Sequence, residues 1–149
     1  MVVNVDDVAY YFEMCNDAYF ENNLPVPDFD VLHSYKYCAY FSCDKKWLWS
    51  KSIYNPKIYI SDYYQFSEKQ VISLMVHEMI HYYLAINGID TRGTHGKDFM
   101  KMARKLNKKF GLHITEFIDI SKLKRSDDAP LLGYWWSKLI YWHFWYGWL

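Results

Sequence analysis

Near the N-terminus, Val8, Tyr11, Phe12, Cys15 and Tyr19 recur at helical intervals and predict a helix over residues 5–22. Asp6 and Asp7 suit its first turn, where the helix dipole is positive, and Asn22-Asn23-Leu24-Pro25 ends it. The pattern changes over residues 29–43, where Val31, Tyr35, Tyr37, Tyr40 and Phe41 supply the β-branched and aromatic residues of one or two strands. A further strand is predicted over residues 57–61. Asp44-Lys45-Lys46 reads as the intervening turn, and Asn55-Pro56 as a break just before the last strand.

Helical spacing returns at Val71, Leu74, Met75 and Leu84. Ser67-Glu68-Lys69-Gln70 has the form of a capping box and Asn87-Gly88 is a stop signal, so a helix of about twenty residues is predicted between them. A loop over residues 87–94, with Gly88 and Gly93, lets the chain reverse. His95 then opens a second helix over residues 95–110, which is sharply two-sided. Phe99, Met102, Ala103, Leu106 and Phe110 line one face, and Lys97, Lys101, Arg104, Lys105 and Lys108 line the other. Residues 113–118 alternate enough for a strand or an extended return ending near Ser121, and Asp127-Asp128-Ala129-Pro130 is a loop.

Residues 131–149 carry Trp135, Trp136, Trp142, Trp145 and Trp148 among tyrosines and leucines. Lys138 and His143 argue against a membrane-spanning helix there. Such a tail suits an interfacial membrane anchor, a nucleobase-stacking surface or an apolar cap. The plainest of these is the cap, packed on the same domain or on a partner.

A chain of 149 residues holds one domain with a proper core, assigned to residues 1–130, with the aromatic tail at 131–149. Hydrophobic residues make up 52% of it, which excludes a disordered chain. Seventeen basic and seventeen acidic residues cancel, so no global field advertises a nucleic-acid or membrane partner. Any DNA affinity must come from local patches. Asp6 and Asp7 stand where a secretory leader would be basic and then apolar, so no signal peptide is predicted. Cys15, Cys38 and Cys43 are too few and too odd in number for a disulfide framework. They point to a reducing, intracellular setting, cytoplasmic or, in a eukaryote, nuclear. Cys38 and Cys43 with His33 do not match a zinc knuckle, and no second cysteine pair exists.

The chemistry concentrates in His77-Glu78-Met79-Ile80-His81. Histidines four apart on a helix sit one turn, or about 6 Å, from each other, so both rings reach one ion from the same face. Neutral imidazole suits Zn²⁺, and Glu78, about 100° around the helix, can act on a water held by that ion. A catalytic zinc takes three protein ligands and keeps one position open. Tyr82 to Gly88 lack the extension that would place a third histidine just beyond the motif, so His95 is the candidate. Gly96 would permit close backbone approach beside it. Asp98 serves the helix dipole or supports a ligand. His33, His113 and Tyr134 are possible auxiliary donors.

This motif, followed by Gly93-Thr94-His95-Gly96-Lys97-Asp98-Phe99, resembles the SprT-like (Spartan-like) metalloprotease family, with its H-E-x-x-H, short loop and H-G-x-x-F. The likeness extends more loosely upstream through Tyr19-Phe20 to Leu24-Pro25 and downstream to about Ile120; the paired cysteines of a zinc ribbon, found after this domain in many members, are absent beyond Cys43. The resemblance implies that His77, His81 and His95 ligate one catalytic zinc ion and that Glu78 is the catalytic residue. It also implies cleavage of proteins bound or crosslinked to DNA. The expected fold is a single α+β, zincin-like domain: an N-terminal helix, a small mixed or antiparallel sheet, the motif helix, and a second amphipathic helix carrying the third ligand. The expected function is zinc-dependent endopeptidase. The alternative is a non-catalytic zinc-containing module that binds DNA or protein. On the enzyme reading a sheet edge above His77 would hold the peptide as an added strand. The cationic face at Lys97, Lys101, Arg104, Lys105 and Lys108 is either solvated surface or a phosphate-contacting stripe that Lys122, Lys124 and Arg125 could extend.

Overall fold

Helix α1 (Val5–Phe20) starts at a capping box, in which Asn4 Oδ1 accepts from the Asp7 N–H and the Asp7 carboxylate accepts from the Asn4 N–H, both at 2.9 Å. In this computed structural model, residues 1–45, 52–89, 95–116 and 119–130 are described, and the aromatic tail at 131–149, with Tyr134, lies outside them. The helix ends at Glu21 and Asn22, both left-handed with φ of 57° and 56°. The buried Asn16 amide then holds both the N–H and the C=O of Leu24, which turns the chain toward the sheet.

The sheet has β1 (Asp28–Leu32), β2 (Ala39–Lys45) and β3 (Ile53–Ser61) in the order β1-β3-β2. β1 runs parallel to β3 and β2 antiparallel to it, so the sheet is mixed. Ile58 and Ile60 of β3 are fully buried, while Tyr40 and Tyr59 pair on the opposite face with ring centroids 6.2 Å apart.

Two turn expectations need correction. Asp44 and Lys45 are not a turn, since they pair with Tyr54 and Ile53 inside the ladder. Asn55-Pro56 is not a break either, because β3 runs through it. The register shifts there, Ser42 facing Lys57 and Asp44 facing Tyr54, so two residues of β3 stand opposite Cys43 alone. A bulge of this kind accepts a proline that has no N–H to give and an Asn at φ 48°. The Asn55 amide donates to Asp44 at 2.9 Å and holds the bulge closed.

Helix α2 (Glu68–Ile86) has the capping box read from its sequence: Gln70 N–H reaches Ser67 Oγ, and Ser67 N–H reaches Gln70 Oε1. It is apolar on most sides because it is central. Val71, Met75, Val76, Met79 and Ile80 are wholly inaccessible, between α1 on one side and the sheet and α3 on the other. Ser67→Ala should therefore cost about 1 kcal/mol. Urea unfolding reads this directly, and an unchanged midpoint would show that the cap adds nothing.

Helix α3 (Lys97–Phe110) starts two residues after His95, which precedes the helix instead of opening it. Phe99, Ala103 and Leu106 are buried, whereas Phe110 is partly exposed and leans on the Tyr19 ring at 5.0 Å. The chain then returns without strand pairing through residues 112–116. A short 3-10 turn (Ile120–Lys122) follows, and β5 (Lys124–Arg125) pairs antiparallel with β4 (Tyr64–Gln65). That long-range pairing ties the segment after the 3-10 turn to the entry of α2. It carries no sequence signal, because two-residue strands are too short to show alternation. Among the described residues, no helix is long and apolar enough to cross a membrane.

Candidate metal centre

His77 and His81 stand one turn apart on α2, and the segment before α3 brings His95 against them. One ligand atom from each lies within 4.8 Å of the others, and the ring centroids are 4.8 to 5.1 Å apart. His77 Nε2 and His95 Nε2 face each other at 2.9 Å. Tetrahedral zinc, with Zn–N near 2.0–2.1 Å, spaces its nitrogens about 3.3 Å apart, and the three donors lie within 4.8 Å of one another.

Two neighbours set the ring orientations. His77 Nδ1 lies 2.9 Å from the Thr115 carbonyl oxygen. A carbonyl can only accept, so Nδ1 carries the proton and the Nε2 lone pair is left for a cation. Phe99, itself 1% exposed, touches all three imidazoles, with centroids 4.8 Å from His77, 4.6 Å from His81 and 4.7 Å from His95. Its ring is the apolar floor of the cluster.

Burial keeps the imidazoles neutral. It pushes His77 down to about 3 and His81 to about 4, with charge on the neighbouring histidines adding to the effect. His95 is lowered as well by burial, partly offset by the charge of Glu116. Neutral imidazole is the form that binds metal, so the donor set is ready at pH 7. Glu78 is buried too, and desolvation raises its carboxyl to about 8 against a hydrogen bond from the Phe41 backbone N–H. The two kinds of shift oppose each other in stability. Histidines lowered from 6.5 contribute stability that is present above pH 6.5 and lost as pH falls toward 4 and 3. A glutamate raised from 4.5 contributes stability present below pH 4.5 and lost as pH rises to about 8. The melting temperature of the metal-free protein should therefore peak near pH 6.5, and a flat profile between pH 5 and 8 would refute these burial effects.

Residues 8–117, well over half of the chain, match the SprT-like family. The chain belongs to the SprT-like family. A comparison with curated proteins finds no match. With its single motif helix, small mixed sheet and three-histidine group, this SprT-like chain has the zincin-like α+β arrangement expected from its sequence.

Among the described residues, His77, His81 and His95 are the only group of His, Cys, Asp or Glu side chains placed to hold a metal. His33 is elsewhere engaged, its Nδ1 2.5 Å from Asp62. His113 is exposed and lines a cleft that His77 also borders. All three cysteines are free thiols. Gly96 does not serve close approach: nothing lies within 4 Å of where its Cβ would be, and its φ of −65° suits any residue. Asp98 is exposed in the first turn of α3, where the dipole favours it. Lys97, Lys101, Arg104, Lys105 and Lys108 are all exposed. Lys122 is paired with Asp119 at 3.1 Å.

Thr115 and Phe41 escaped the sequence reading for one reason: each acts through its backbone, which any residue supplies. Phe99 was visible as an apolar position and as the end of His95-Gly96-Lys97-Asp98-Phe99, but not as a neighbour of all three imidazoles. Its spacing four residues after His95 was the available clue.

Proposed function

We propose that this SprT-like chain is a zinc-dependent metalloendopeptidase. The observation that carries the reading is the pairing of three neutral, pre-oriented imidazoles with a buried glutamate beside the first of them. Three nitrogen donors fit a catalytic site better than a structural one, which a fourth Cys or His would normally close. His77, His81 and His95 would hold the ion. When bound, Zn²⁺ supplies Lewis acidity, polarising a carbonyl and drawing the pKa of a water toward neutrality.

Glu78 is the proton carrier on this reading. It takes the proton from the attacking water and returns it to the leaving amine nitrogen. Burial favours the protonated carboxyl and so helps it hold the proton between those two steps. The outer edge of β2 is the peptide platform. Ser61 N–H donates to Cys38 C=O at 2.8 Å, so Cys38 faces β3. Antiparallel residues alternate in this respect, so Ala39 and Phe41 turn their N–H and C=O groups outward. The Phe41 N–H meets Glu78 there, which puts the open edge beside the proton carrier.

We further infer that the substrates are proteins held on DNA. The resemblance to the family and the five exposed cations of α3 support this. The test is zinc per chain together with casein or histone cleavage, with and without single-stranded DNA. One zinc per wild-type chain, its loss in His95→Ala, and cleavage that a chelator stops are expected, with DNA raising the rate. Zinc bound without cleavage under any condition would favour a binding module instead.

A further inference from the structure

Helix α3 reaches the candidate metal centre from both of its ends. At the front, His95 precedes it and Phe99 sits in its first turn against all three imidazoles. At the back stands Asn107, about two turns beyond Phe99. The helix stops one turn later at Gly111, whose φ of 67° turns the chain back. Residues 112–116 then return without strand pairing, so their peptide groups need other partners. For Ile114 the partner is Asn107. Its Oδ1 accepts from the Ile114 N–H at 2.8 Å, and its Nδ2 donates to the Ile114 C=O at 2.9 Å. One side-chain amide thus serves a buried residue as a neighbouring strand would. The next residue is Thr115, whose carbonyl oxygen lies 2.9 Å from His77 Nδ1.

We propose that Asn107 is a positioning residue of the metal centre: by fixing Ile114 it fixes the Thr115 carbonyl, and through that carbonyl the tautomer and tilt of His77. The inference rests on the reading above only in that His77 holds the metal, not in what the loaded site cuts. The peptide unit is planar, so gripping the Ile114 C=O also places the Thr115 N–H and Cα. Only the two backbone torsions of Thr115 then stand between the grip and the carbonyl that meets His77. The same device occurs after α1, where the buried Asn16 amide holds the N–H and C=O of Leu24 at 3.2 and 2.9 Å. There the chain runs on into β1. Asn16 is therefore an internal control, with an equal hydrogen-bonding role and none toward His77.

The test compares Asn107→Ala, Asn107→Asp and Asn16→Ala in the full chain. Zinc affinity is read by competition with a chromophoric chelator. The His77 Nδ1–H is read by its proton–nitrogen NMR signal, with and without zinc, and in the wild type it should be protected from solvent exchange. Asn107→Ala should weaken zinc binding by about tenfold and lose the protected signal. Asn107→Asp still accepts from the Ile114 N–H but cannot donate to its C=O. It should show both changes to a smaller degree, and it decides the matter if Asn107→Ala folds poorly. Asn16→Ala should lose stability and keep both zinc affinity and signal. Wild-type zinc affinity or an unchanged signal in the Asn107 variants would overturn the role. Equal losses in Asn16→Ala would overturn it too, by tracing them to stability alone. A wild type that takes up no zinc would sink the metal reading instead, and the His77 signal of the metal-free chain would still decide on Asn107.

Discussion

Glu78→Gln should lower peptide hydrolysis by about 10²–10⁴-fold, leave one zinc per chain, and make the metal-free protein more stable at pH 8. Loss of activity follows from removing the only buried carboxylate among the described residues, which lies beside the three imidazoles, since an amide cannot take a proton from water. The gain in stability follows from the sign of its pKa shift. Burial raises the Glu78 carboxyl from 4.5 to about 8, so the folded state resists its ionisation. That penalty is absent below pH 4.5, grows as pH rises, and is fully developed above about 8. Glutamine never ionises, and its side-chain oxygen can still accept from the Phe41 N–H. The variant should gain about 1–3 kcal/mol at pH 8 and almost nothing at pH 4.5. Urea unfolding in the presence of a chelator at the two pH values measures the difference. A variant weaker than wild type at pH 8 would mean that Glu78 is stabilised by contacts its burial does not account for. A residue that costs the fold stability at neutral pH, and that sits one position from His77 of the candidate metal centre, is placed as catalytic groups are.

Phe99→Ala should be the most damaging single change to the fold, at about 3–5 kcal/mol, because it empties a wholly enclosed site. Its effect should not stop at stability. The ring contacts His77, His81 and His95 at once, so its loss removes a support from all three imidazoles and leaves only His77 its Thr115 contact. Zinc affinity is expected to fall about 10–100-fold, the range typical of lost supporting contacts around metal ligands. Phe99→Leu, which keeps much of the volume, should recover most of the stability and less of the affinity, because a branched side chain cannot stack on His81. Competition with a chromophoric chelator, read at a temperature where both variants are folded, separates the two effects. Equal zinc affinity in wild type and Phe99→Ala would show that the ring only fills space.

Local signals were read where they are strong. The capping box at Ser67 and Gln70, the helical spacing through Leu84 and the stop at Asn87-Gly88 located α2 nearly to the residue. His77 and His81 needed only the 3.6-residue repeat to be put on one face. The two-sidedness of α3 was equally plain, because Phe99, Ala103 and Leu106 fall on one stripe and the cations on the other. Turn residues misled where pairing overrode them. Asn55-Pro56 carries every mark of a break, yet a neighbouring strand with one residue fewer turned it into a bulge. The tryptophan-rich tail, the most unusual stretch of the sequence, lies outside the described residues.

The sequence by itself determined the helices and which histidines could share an ion, because helix periodicity, capping chemistry and imidazole spacing are local properties that each segment carries alone. Only the tertiary structure decided how the donors are held and what surrounds them. The Thr115 carbonyl that sets the His77 tautomer is 38 residues away in the chain. The open edge of β2 beside Glu78 depends on strand order, and the cleft at His77 on how the chain returns after α3. These are contacts between distant segments made largely through backbone groups and shape. Backbone groups are the same at every position, so their partners are chosen by packing and leave no trace in residue type.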